Sequence, residues 1–114
     1  MRHEMTLFPK PYASIASGQK TIELRLYDEK RQSIQIGDQI RFTNTEDASQ
    51  TTLCEVVGLH VFKDFRELYE KLPLLQCGYT SEDVDNAHPD DMLTYYSKEK
   101  QAQYGVVGIE LKRI

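Results

Sequence analysis

Three side chains near the amino-terminal end of the chain, Lys20, Glu23 and Arg25, lie two or three residues apart within a run of alternating apolar residues. A carboxylate between two cations lends itself to recognition. The planar guanidinium fork, the lysine point charge and the carboxylate acceptor together suit a phosphate, a ribose hydroxyl and the edge of a base. The same set lends itself to hydrolysis, with Lys20 as an activating group, Glu23 as a general base toward water and Arg25 stabilising a developing oxyanion or a phosphate. A third reading has no ligand at all: an ion-pair network at a surface or barrel end, which adds little stability.

The elements around these residues decide among the readings. From Thr21 to Tyr27 the pattern alternates, so Ile22, Leu24 and Leu26 point one way while Thr21, Glu23, Arg25 and Tyr27 point the other. The expectation is a strand with a core face and a charged face, completed by a neighbouring-strand partner such as Arg41 or Glu55. Lys20 falls on the wrong side by strict alternation and joins the row only if the Gly18–Gln19 turn rotates the chain. Asp28, Lys30 and Arg31 read as a solvated turn. Tyr27 shares the charged face, and Tyr96 or Tyr104 flanks the polar segment Ser97–Gln103, expected to be a loop from which Ser97 and Lys98 can close over a ligand. An exposed ring in such a cleft adds roughly 1 to 3 kcal/mol per stacked base. One of Tyr95 and Tyr96 is expected to face the core and the other the cleft.

Other chemistry finds less support. Cys54 and Cys77 have no Cys or His partners at metal-ligand spacing and read as reduced packing residues. His3, His60 and His88 are scattered and read as structural: a terminal residue, a strand residue, and a neighbour of the helix start at Pro89. Neither a metal nor another cofactor is implied.

Along the chain, Met5–Phe8 reads as a first strand and is followed by a helix with Pro11 in first position, Tyr12, Ile15 and Ala16 on one face, and a stop at Gly18. The turn Ile36–Asp38 precedes a strand over Gln39–Thr43, and a polar connection over Thr43–Thr52 leads to a long strand, Thr51–Phe62, bent at Gly58 and central in the sheet. Asp64 and Glu67 form a capping box for a helix carrying Phe65, Leu68, Tyr69 and Leu72 as far as Pro73. A second helix begins near Pro89, with Asp90 and Asp91 in its first turn and Met92, Tyr95 and Tyr96 aligned, and Tyr104–Leu111 forms a closing strand. About five or six strands with short flanking helices make an α+β chain built as a small mixed β-barrel.

Composition bounds the remaining possibilities. The chain has 114 residues, 39% hydrophobic and 28% charged, enough for one compact domain over residues 1–114. A mean hydropathy of −0.57, the lack of a long apolar run, and the absence of a leader-like pattern in Met1–Lys10 predict a cytoplasmic protein with no membrane partner. The net charge of −4 argues against coating duplex DNA, and a monomer is the default.

Gly18, Lys20, Glu23 and Arg25 reproduce the pattern G-x-K-x-x-E-x-R. With the "GD" turn at Gly37–Asp38, the strand at Ile40–Phe42 and the segment Tyr95–Leu111, the chain resembles the ASCH family of PUA-like folds over nearly its whole length. The resemblance implies a β-barrel with helices at its side and a cleft holding the Lys, Glu and Arg, in a family associated with RNA or nucleoside recognition. It also resembles, more distantly, small bacterial members that hydrolyse N4-acetylcytidine with a Lys and a Thr from this motif and a later Glu. That likeness places Lys20 and Arg25 on the matching positions but puts Glu23 where the nucleophilic Thr stands. Thr21 is the nearby hydroxyl on the same face, and Glu82 and Asp83 are the acids in the later region. Two functions therefore follow: a module binding RNA or a modified nucleoside through Lys20, Glu23, Arg25, Tyr27 and Tyr96, or a hydrolase, amidohydrolase or ribonuclease, using Lys20 and Glu23.

Overall fold

A computed structural model describes all residues, 1–114. Five strands form one sheet: β1 (Arg2–Leu7), β2 (Ile22–Leu26), β3 (Gln39–Asn44), β4 (Asp47–Phe62) and β5 (Val106–Arg113). Their order across the sheet is β1-β3-β4-β5-β2, with β1 parallel to β3 and every other pair antiparallel. The sheet curls into a half-barrel, as the sequence predicts. Its two edges, β1 and β2, share no backbone ladder, which leaves a seam.

The core face and the charged face expected of β2 are both buried. Residues opposite one another in an antiparallel ladder share a face. Glu23 lies opposite Ile109 and Arg25 opposite Val107, and both partners belong to the inner core with Met5, Ile40, Phe42 and Val56. The charged row thus points into the half-barrel. On the outer face Ile22, Leu24 and Leu26 pack with Phe65, Leu68, Cys77 and Val106.

Helix α1 (Pro9–Ser17) starts two residues before the expected Pro11, buries Tyr12 and Ile15 against the inner core, and ends at Gly18, whose φ of 85° gives the left-handed cap a glycine adopts without strain. Asp28 caps the one-turn helix α2 (Glu29–Gln32) by accepting from Arg31 N at 3.1 Å. The expected connection at Thr43–Thr52 is shorter than its polarity suggests. β3 and β4 stay paired as far as Asn44 and Asp47, and the Asn44 side chain accepts from Glu46 N at 3.0 Å to make the turn. The bend expected at Gly58 is a bulge between Val56 and Gly58 in the central strand.

Helix α3 (Phe65–Lys71) is capped by Asp64, which accepts from Glu67 N at 2.9 Å; the Glu67 carboxylate returns to Lys63 N rather than to the cap. The expected helix near Pro89 is a 3-10 segment, Pro89–Thr94, that stops short of Tyr95 and Tyr96. Ser97–Gln103, expected as a loop, forms α4 (Lys98–Tyr104) behind its Ser97 cap. Its single buried side chain is the polar Gln101, so no apolar periodicity announces it. Tyr104 consequently ends a helix, and β5 begins after Gly105. No helix is long and apolar enough to cross a membrane.

Candidate ligand cleft

The seam between β1 and β2 is where the charged residues meet. Gly18 turns the chain out of α1, Lys20 N donates to Ser14 O at 2.9 Å, and Thr21 N donates to Gln76 O at 2.9 Å. The chain is rotated as Lys20 needs to join the row. Its stem runs beneath Gly78, where a Cβ would sit 3.2 Å from Lys20 Cδ, and its Nζ reaches Glu23 Oε1 at 2.8 Å. The other carboxylate oxygen, Oε2, accepts from Arg25 Nε at 2.7 Å. Arg25 Nη2 then crosses the seam to donate to Thr6 O on β1 at 2.9 Å, so a side chain bridges the two edges that no backbone ladder joins.

These are not surface ion pairs. The side chains of Lys20, Glu23 and Arg25 are 11%, 5% and 14% exposed. Burial alone would push the Glu23 carboxyl up, but Lys20 and Arg25, through charge and hydrogen bonds, outweigh it and hold it below its ordinary range. Burial likewise lowers Arg25, and the Glu23 charge more than restores it. Glu23 is a carboxylate with both oxygens occupied. Lys20 keeps two further N–H donors, and Arg25 Nη1, with no partner in the chain, stays in contact with solvent. Arg41 pairs with Glu4 and not with the row, and no ion pair joins Glu55 to it.

Tyr96 stands beside this network. Burial, opposed by the nearby Arg25 charge, raises its hydroxyl above the ordinary range. Its ring stacks on Phe65, with centroids 5.9 Å apart and planes 20° apart. Buried Gln101 fixes the pair, accepting from Phe65 N at 3.3 Å and donating to Tyr96 O at 3.3 Å. Tyr95 is exposed, so Tyr96 is the packed member of the two and the one that borders the cations. Tyr27 packs part-buried against the inner core.

Arg31 is largely buried rather than solvated: Nη1 pairs with Asp28 Oδ2 at 3.3 Å, and Nε is the one buried side-chain polar atom without a partner. His3 pairs with Asp38 at 2.8 Å, and His60 with Glu110 at 2.9 Å. His88 is itself the cap of the 3-10 segment, accepting from Asp90 N at 3.0 Å. Thr21 offers its hydroxyl to Gln76 at 3.4 Å, and Glu82 and Asp83 are exposed, with Asp83 engaged by Thr80 N at 2.6 Å. Cys77, which sequence reading assigned only to packing, borders the network; burial pushes its thiol up to about 11 against the pull of Lys20, leaving it a poor nucleophile. No three His, Cys, Asp or Glu side chains converge as a metal centre requires.

Two depressions flank these elements. The larger, about 450 Å³, runs between Lys63, Arg66, Asp90 and Lys98 and does not include the buried row. The smaller, about 280 Å³, reaches Lys20 and Thr21.

The ASCH domain profile matches residues 5–114. The chain belongs to the ASCH domain family. Among solved structures, this ASCH chain is similar to the hypothetical protein PH0355 (34% identity, all of both chains covered, TM-score 0.82). It is similar too to protein PF0455 of Pyrococcus furiosus (32% identity, 100% of this chain and 98% of that one, TM-score 0.75). The ASCH protein of Zymomonas mobilis shares the fold at 13% identity, covering 97% of this chain and 66% of that one with a TM-score of 0.67. No curated protein matches the chain.

Proposed function

We propose that this ASCH domain binds single-stranded RNA or a modified ribonucleoside in the seam between β1 and β2, with Lys20 and Arg25 as donors, Glu23 as the carboxylate that orients them, and Tyr96 as the aromatic wall. One observation carries the reading: both oxygens of the buried Glu23 are taken by the two cations, at 2.8 and 2.7 Å, while the cations keep donors to spare. The carboxylate preorganises a fork of positive hydrogen-bond donors without spending them all. The carbonyl and phosphate oxygens of a nucleotide are the complementary acceptors. Tyr27 contributes the inner wall of the cleft.

The same geometry weighs against the hydrolase alternative in the form the motif suggests. A general base needs a free lone pair near the proton it removes and a pKa near the working pH. Lys20 and Arg25 hold Glu23 below its ordinary range, so it is a weak base at neutral pH. Thr21 has no lysine amine within hydrogen-bond reach and donates to Gln76.

The test is to mix the protein with N4-acetylcytidine, or with short single-stranded RNAs, and follow both affinity and free acetate or cleaved RNA. Binding without product is expected, with Tyr96→Leu weakening it by about ten- to a hundredfold if a base stacks on the ring. Acetate release or RNA cleavage that disappears in Lys20→Ala would replace the binding reading with the hydrolytic one.

A further inference from the structure

The smaller cavity, about 280 Å³, lies at the end of the half-barrel where α1 meets β5. Its floor is apolar, made by Ile15, Cys54 and Leu111, and its charged lining residues are Lys20, Lys112 and Arg113. No carboxylate lines it, although the whole chain carries a net charge of −4. A concentration of one sign against that background is a local positive field.

The cations are differently held. Lys20 is pinned by Glu23 in the buried row. Arg113 donates through Nη1 to Ala16 O at the end of α1, and its guanidinium lies over Gly18, where a Cβ would sit 3.5 Å from Nη2. Lys112 lies opposite Glu55 in the β4–β5 ladder, on the face of β5 away from Leu111 and Arg113, so its exposed side chain points off the cavity. Thr21, whose hydroxyl is part-exposed, completes the polar lining. Lys20 is thus common to the seam and to this cavity.

We propose that the cavity is a phosphate subsite continuous with the Lys20 end of the seam, so that the ligand is a nucleotide, free or within an RNA strand, rather than an unphosphorylated nucleoside. This rests on the nucleoside-binding reading of the seam and narrows it. Arg113 supplies a rigid donor fork at the rim, and Lys20 brings the two ammonium donors that Glu23 leaves free. The apolar floor lowers the local dielectric and strengthens each of these contacts.

Isotope-labelled protein is titrated separately with the four ribonucleosides, their 3′- and 5′-monophosphates, and inorganic phosphate, using wild type and Arg113→Ala. Arg113 is exposed and its side chain bonds only to Ala16 O, so the fold survives its truncation, which unshifted core amides verify. The expected result is that a monophosphate binds about tenfold tighter than its nucleoside, as one charge-assisted contact provides, and that Arg113→Ala removes most of this gap without changing nucleoside affinity. Amides of Gly18, Thr21 and Arg113 shift with the phosphate-bearing ligands. Equal affinity for nucleoside and monophosphate overturns the phosphate subsite and leaves the reading of the seam standing. A preference for the monophosphate that survives Arg113→Ala puts the phosphate elsewhere and also overturns the subsite. Inorganic phosphate shifting those amides while no nucleoside binds keeps the anion site without the seam. Phosphate-bearing probes that leave those amides unmoved overturn the subsite.

Discussion

Replacing Glu23 by glutamine tests whether the charged row is a buried, mutually dependent unit. The side chain is 5% exposed and holds Lys20 at 2.8 Å and Arg25 at 2.7 Å. Glutamine keeps the shape but brings no charge, and its amide nitrogen is a donor facing a donor. Two largely buried cations are then left close together without their shared counter-charge. Breaking a buried ion pair in this way costs about 3–5 kcal/mol, against about 0–1 kcal/mol for a surface pair. Urea unfolding followed by circular dichroism should show the midpoint falling with an unchanged slope. A loss below about 1 kcal/mol would refute the reasoning, because it would make the network a surface feature. Replacing all three residues together by Met or Leu should recover much of the loss, since no charge then remains buried. The pH dependence has a definite sign. The folded carboxyl lies below its ordinary value, so its contribution is complete above the unfolded pKa of about 4.3 and is lost as the pH falls below it toward the lower folded value. Wild type should therefore lose more stability on acidification through that window than Glu23→Gln does.

Arg25→Lys keeps the charge beside Glu23 but cannot also reach Thr6 O; about 1–3 kcal/mol should be lost, and amide exchange in β1 should quicken. Gln101→Leu preserves volume yet leaves the buried Phe65 N–H without its acceptor, which should cost about 1–3 kcal/mol in thermal unfolding and weaken ligand binding by releasing Tyr96. Asp38 is held at about 2 chiefly by its hydrogen bond to His3, with Gln35 N assisting; a carbon-detected NMR titration should find its midpoint there, and His3→Leu should move it up toward the ordinary carboxylate range.

Much of this fold is legible in the sequence because short-range rules govern it. The alternation of Ile22 to Tyr27, the Asp64 cap and the long apolar run to Phe62 each encode their element locally. The motif residues Lys20, Glu23 and Arg25 are legible as a group, and the turn at Gly18 that brings Lys20 to the others is visible as a glycine. What alternation does not reveal is which face of a strand looks inward when both faces are covered. Alternation separates Ile22, Leu24 and Leu26 from the charged face of β2, but only the ladder with Val107 and Ile109 fixes that charged face inside the half-barrel. α4 escapes for the opposite reason, since its buried contact is made by Gln101, a polar residue that hydropathy counts as surface. The bridge from Arg25 to Thr6 joins strands distant in sequence, and no local pattern specifies it. Cys77 is likewise brought to Lys20 by tertiary packing alone.

The central claim, that the spare donors of the buried row receive a ligand, is tested most directly by observing those donors. Nitrogen-detected NMR of the Lys20 Nζ and Arg25 guanidinium signals, recorded while a short single-stranded RNA is titrated to saturation, reads them without intermediaries. The account predicts that the Arg25 Nη and Lys20 Nζ resonances shift with the same midpoint as the Tyr96 ring, while the Arg25 Nε resonance, committed to Glu23, moves little. RNA that saturates the protein and leaves all of these signals unmoved would contradict it.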